Sequence, residues 1–213
     1  MTYNVTHLDE LESIPVGDHG LTWRPIRSRF DIRAFGTNAY TADVGGEIVE
    51  EHTESTYRHE EMYVVVRGRA TFTLDGENID APAGTIVHLP DPAVRRSAVA
   101  EEPGTTVLAV GAKPGEPYQP SAWELGFRAA NMEPRQAVAY VEEHMGEYPE
   151  MAATYYNLAC FRALAGDPTG ALDALERAAE MDAESVRKWS ENDSDLDSIR
   201  DDPRFAELLS SRS

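Results

Sequence analysis

One cysteine, Cys160, stands in 213 residues, which excludes an intramolecular disulfide. It lies in an apolar stretch, Tyr156 to Leu164, where a buried, inert thiol is expected rather than a nucleophile. Basic residues are scarce: 19 lysines and arginines face 38 aspartates and glutamates, a formal net charge of −19. A surface of that sign repels phosphate backbones and anionic lipid, so no nucleic-acid or membrane partner is expected. No stretch approaches the roughly 18–20 apolar residues of a transmembrane helix. Met1 to Glu10 lack the basic start and apolar run of a signal peptide, so a cytoplasmic location is expected. There is no phosphate-cradling glycine loop and no Ser/His/Asp order pointing to nucleophilic catalysis.

Against these absences stand two regions of different texture. From Leu21 to Gly111 short β-prone runs recur, among them Phe35 to Thr41, Met62 to Val66, Ala70 to Leu74 and Thr105 to Val110. Gly45-Gly46, Asp75-Gly76, Pro82-Ala-Gly84 and Pro103-Gly104 punctuate them, and Asp75-Gly76 between alternating runs predicts a tight hairpin. Roughly six to nine strands at that spacing, without helical crossovers, predict a sandwich or barrel. The proline-rich stretch from Pro114 to Pro120 reads as a linker. Beyond it alanine, glutamate and leucine recur at helical spacing, with Pro134 opening one helix and Gly166-Asp-Pro168 separating two others.

At an offset of 34 residues Ala137, Val141 and His144 align with Ala171, Leu175 and Ala178. With Tyr155, Leu158 and Ala159, these residues resemble a tetratricopeptide helix pair, in which small residues let antiparallel helices approach closely. Fewer than three repeats fit, so the segment is expected to pack on the β region or on another subunit.

In the β region, Gly46 is followed six residues on by His52, then Glu54, His59, Glu61 and Gly68. Farther along come Pro82-Ala-Gly84, His88, Pro90 and Arg95. These stretches resemble the paired motifs of the cupin superfamily, antiparallel β-barrels whose usual site is a metal held by histidines and a glutamate. Two registers are open for the first motif. If Gly46 sets it, His52 and Glu54 take the two histidine places; with a loop of the usual length, Ser55 and Tyr57 do. Glu61 and Gly68 keep the family spacing in both. The resemblance implies a metal site of His52, Glu54, His59 and Glu61 for one divalent transition ion (Fe, Mn, Ni or Zn), with a metal-free pocket the alternative. The second motif's ligand histidine is replaced by Arg95, which has no lone pair for a metal. Arg95, Glu61 and Tyr57 are therefore the expected residues for a small anionic or sugar-like ligand. His88 is expected on the alternate face of its strand or in the core wall, and Tyr63 in the core.

The resulting expectation is an α+β chain. Residues 1–113 form an antiparallel cupin-like (jelly-roll) β-barrel, 114–126 a linker, and 127–213 an all-α tetratricopeptide-like helical domain. The expected function is a non-enzymatic small-ligand-binding protein with a degenerate metal site; the alternative is a metal-dependent oxygenase or isomerase. The family likeness also implies a homodimer, with a protein partner for the helices.

Overall fold

The computed structural model describes residues 4–17 and 20–210. The polar N-terminal segment predicts solvated side chains for His7 and His19, and His19 lies outside the described residues. The chain forms two compact units, Met1–Gln119 and Pro120–Ser213.

In the first unit, strands β1 (Ile14–Val16) and β2 (Leu21–Arg24) lead through a short helix α1 (Ile26–Phe30) to β3 (Gly36–Ala42) and β4 (Glu47–His52). Then come β5 (Glu60–Arg67), β6 (Arg69–Leu74), β7 (Glu77–Pro82), β8 (Ile86–Leu89), β9 (Arg96–Ala100) and β10 (Thr105–Ala112). All pairings are antiparallel. Among the described residues no closed barrel forms. The strands divide into a six-stranded sheet, β1-β2-β3-β10-β5-β8, and a four-stranded sheet, β4-β9-β6-β7. Closure fails because the ladders end: β8 pairs with β5 alone, and β4 pairs with β9 alone through two register shifts.

Side-chain alternation gives each sheet an apolar inner face. Trp23, Val65 and Val107 from the larger sheet and Ile48, Ala70, Phe72 and Ala98 from the smaller are at most 1% exposed. The Tyr63 and Phe72 rings meet across the sheets at a centroid distance of 5.7 Å. At the predicted hairpin, Asp75 and Gly76 both take positive φ (48° and 88°), the signature of a type I′ turn, and Leu74 pairs with Glu77. Gly68 also has positive φ (72°), and a Cβ there would stand 2.9 Å from the Thr105 Cα. Only glycine fits that crossing.

The second unit contains α2 (Ala122–Ala129), α3 (Pro134–His144), α4 (Ala152–Leu164), α5 (Pro168–Ser190) and α6 (Pro203–Ser210). Helix α2 begins inside the stretch expected to be linker, because Leu125 and Ala129 are buried in the helical core. That core also holds Ala137, Val141, Ala159, Ala171, Leu175 and Val186. Pro134 and Pro168 open their helices at positions that need no amide hydrogen. Helix α5 is broken at Asp182, where φ and ψ are −154° and 82°. The Asp182 carboxylate accepts from the Ser185 amide at 3.0 Å, capping the stretch that follows. Among the described residues no helix is long and apolar enough to cross a membrane.

Candidate metal centre

His52 ends β4 and pairs with Arg96, the first residue of β9. Glu61 enters from the facing sheet, where it pairs with Leu89 on one side and Gly111 on the other. Tyr63 and Val65 share its face and point into the core, which fixes Glu61 inward by alternation. Glu54 lies in the loop between β4 and β5, and its amide donates to the Pro92 carbonyl at 2.9 Å.

Three of the expected ligands converge. One donor atom from each of His52, Glu54 and Glu61 lies within 4.8 Å of the other two. His52 Nε2 is 3.6 Å from Glu54 Oε1 and 3.9 Å from Glu61 Oε2. An ion bonded at about 2.0–2.2 Å to each donor needs them within about 4.4 Å of one another, and both of these distances satisfy that. His52 Nδ1 lies 2.6 Å from the Glu50 carbonyl, which can only accept. In the neutral ring the proton therefore sits on Nδ1, and the Nε2 lone pair faces the two carboxylates.

The surroundings of each carboxylate differ. Tyr63 donates its hydroxyl to Glu61 Oε2 at 2.8 Å, and Arg96 Nε stands 3.6 Å from the same oxygen. Burial, and then the Glu54 charge, pushes the Glu61 carboxyl above the usual glutamate range. Burial, with Glu61 beside it, likewise pushes the Tyr63 phenol up, so Tyr63 stays a donor. A Cβ at Gly111 would lie 3.0 Å from Glu61 Cγ, so a bare glycine makes room for this side chain. Glu54 Oε2 is buried and accepts no hydrogen bond, although His59 Nδ1 is 3.1 Å away. A buried carboxylate oxygen without a donor suits a cation.

His59 reaches the group through Glu54 and is held between two aromatic rings. Tyr57 stacks on it at 5.6 Å and Tyr118 lies on it at 5.7 Å. Tyr57 thus backs His59 instead of entering the ligand group, and Ser55 is exposed.

The expectation for Arg95 meets a different arrangement. Its side chain is 63% exposed and its Nη1 pairs with Glu51 at 2.8 Å. The arginine inside is Arg96, fully buried, its Nη1 3.5 Å from the Pro92 carbonyl and its Nε and Nη2 without hydrogen bonds. The physical reason is strand phase: Arg96, Ala98 and Ala100 alternate inward along β9, which turns Arg95 outward. That phase is legible in the sequence as Arg-x-Ala-x-Ala. Tyr63, two residues after Glu61, is legible in the same way. His88 is exposed on the outer face and pairs with Glu60 at 2.7 Å.

No protein-family model matches the sequence, and no curated protein matches it. Solved structures are similar over about half of the chain, and they are cupin-superfamily proteins. KdgF from a Halomonas species is 22% identical, covering 48% of this chain and 88% of its own, with a TM-score of 0.41. A sugar phosphate isomerase of a cupin superfamily from Silicibacter pomeroyi is 16% identical, covering 52% and 76%, with a TM-score of 0.43. An RmlC-like cupin from Shewanella frigidimarina is 19% identical, covering 54% and 95%, with a TM-score of 0.41. At these values the likeness leaves the chemistry of this chain to its own residues.

Proposed function

We propose that the β unit is a cupin-like site for one divalent transition metal, held by His52 Nε2 and the carboxylates of Glu54 and Glu61. Its open positions would face a small anionic or sugar-like ligand. The observation that carries this reading is the convergence of one imidazole and two largely buried carboxylates within 4.8 Å. Two carboxylates so placed repel one another unless a cation or a proton joins them. Nitrogen and oxygen donors without sulfur suit Fe(II), Mn(II), Ni(II) or Zn(II). When bound, such an ion supplies Lewis-acid chemistry. The chain's own part is to hold the donors: Tyr63 and Arg96 fix Glu61, and the His59 ring, clamped by Tyr57 and Tyr118, lies against Glu54. In this proposal residues 120–213 form a tetratricopeptide-like interaction module.

A second reading, a metal-free ligand-binding pocket, rests on Arg96. Its buried guanidinium puts a permanent positive charge 3.6 Å from Glu61, beside the place an ion would take. Elemental analysis of the full chain, purified without chelator, separates the two. The expected result is near-stoichiometric metal in the wild type and little in His52→Ala or Glu61→Gln, with circular dichroism unchanged in all three. A folded wild type that carries no ion and takes up none from manganese, iron, nickel or zinc salts would overturn the metal site.

A further inference from the structure

We propose that the helical unit carries a second site, for an organic cation, in a pocket of about 480 Å³ lined by Ala153, Tyr156, Asn157, Trp189, Asn192 and Asp193. Nothing in the metal-site reading requires this pocket, and it stands or falls without it.

The pocket is built from three segments. Ala153, Tyr156 and Asn157 are i, i+3 and i+4 neighbours on one face of α4. Trp189 comes from the end of α5, and Asn192 and Asp193 from the turn before a 3-10 helix over Ser194–Ile199. The Tyr156 and Trp189 rings meet edge-on at 5.2 Å, and Trp189 remains 39% exposed. A large aromatic left open at a concave surface, beside a carboxylate, is the pairing that receives a cation.

Asp193 supplies the charge and is rigidly placed. One oxygen accepts from the Asp195 amide at 3.0 Å, capping the 3-10 helix, and the other accepts from the Tyr156 hydroxyl at 2.7 Å. Among the described residues no arginine or lysine forms an ion pair with the Asp193 carboxylate. Arg200, which reaches the Asp193 backbone, spends two guanidinium nitrogens on the Asp193 and Ser190 carbonyls and the third on Asp197. Residues 191–202 hold six acidic residues against that one arginine, so the field at the mouth is negative.

A metal is the weaker occupant, although Cys160, Asp193 and Asp195 each offer an atom within 4.8 Å of the others. The Asp193 oxygen nearest Cys160 already accepts from Tyr156, and the thiol lies 3.5 Å away as a donor to it. The volume also exceeds what a bare ion needs and leaves room for a quaternary ammonium or guanidinium group. Such a group reaches the site either as a free amine or as a basic side chain on a peptide.

The test uses the full chain and choline, with 3,3-dimethyl-1-butanol as its uncharged isostere, at matched ionic strength. Indole N–H signals report location, the Trp189 signal being the one missing in Trp189→Leu. Saturation transfer to the choline methyl groups reports affinity. The expected result is a saturable Trp189 shift with choline and none with the isostere. Trp189→Leu should weaken binding roughly three- to thirtyfold. Asp193→Asn, which keeps a capping oxygen and hence the fold, should weaken it roughly two- to fivefold. N-acetylarginine amide binding more tightly than choline points to a peptide side chain; the reverse order points to a free amine. An unmoved Trp189 signal, equal response to the isostere, or undiminished binding in both variants would overturn the proposal.

Discussion

His52 and Arg96 stand opposite one another across the β4–β9 ladder, so an imidazole with a free lone pair and a buried guanidinium enter the same mouth side by side. Both face Glu61, at 3.9 Å and 3.6 Å from its Oε2. A guanidinium thus occupies ground beside the donors, and it can orient a carboxylate but never bind an ion itself.

Neighbouring arginines should therefore behave oppositely. Arg96→Met removes the cation facing a largely buried carboxylate, and the loss of one member of such a pair costs about 3–5 kcal/mol. Arg95→Met, on the surface, should leave the urea midpoint where it was. Adding Glu61→Gln to Arg96→Met should recover most of the loss. Equal midpoints for the two single variants would contradict the inward placement of Arg96.

The Glu61 carboxyl gives the metal-free chain a pH signature. Its folded pKa lies above the unfolded value of about 4.3, chiefly through burial. The folded state therefore holds the proton more tightly than the unfolded state does. This contribution to stability is complete below the unfolded pKa and is lost as pH rises through the folded one. Melting curves in chelator should show wild type losing ground to Glu61→Gln as pH increases over that window. Parallel curves at all pH values would count against a protonatable Glu61.

Gly111 tests whether the fit around Glu61 matters. A methyl group there would crowd Glu61 Cγ at 3.0 Å and the Glu60 carbonyl at 3.2 Å. Gly111→Ala should lower metal affinity by roughly 10–100-fold, as changes beside a ligand do, and isothermal titration reads it directly. Gly146→Ala, where no atom lies within 4 Å of the new carbon, should change neither affinity nor fold.

Cys160 should be silent toward thiol reagents in the native state. Burial, and then the charge of Asp193, pushes its thiol far above the usual range. Labelling with Ellman's reagent should appear only with denaturant, at the concentration where the helices unfold. Rapid labelling of native protein would show that the α4 face opens.

What the sequence disclosed is uneven, for reasons seen in individual residues. Asp75-Gly76 announced its hairpin because the turn geometry depends on two adjacent residues and little else. Glu61 was identifiable because its spacing to Gly68 is carried within one strand. Arg95 and Arg96 were not separable by motif spacing, since the loop after Pro90 can gain one residue and exchange their faces. The inward alternation of Arg96, Ala98 and Ala100 settles the phase, and it is a property of the strand, not of the motif. Two open sheets in place of a closed barrel also lay beyond the strand pattern, because closure depends on which edges meet. Proline density suggested a linker through residue 126, yet Leu125 and Ala129 had a core to enter and began a helix.

In a continuous helix each inserted residue rotates everything downstream by about 100°. At Asp182 the chain leaves helical geometry and starts again under a cap of its own. That joint resets the phase. An insertion or deletion just before it need not turn Val186 away from the core or swing Trp189 out of its pocket, so length variation can be absorbed there while the faces beyond keep their orientation.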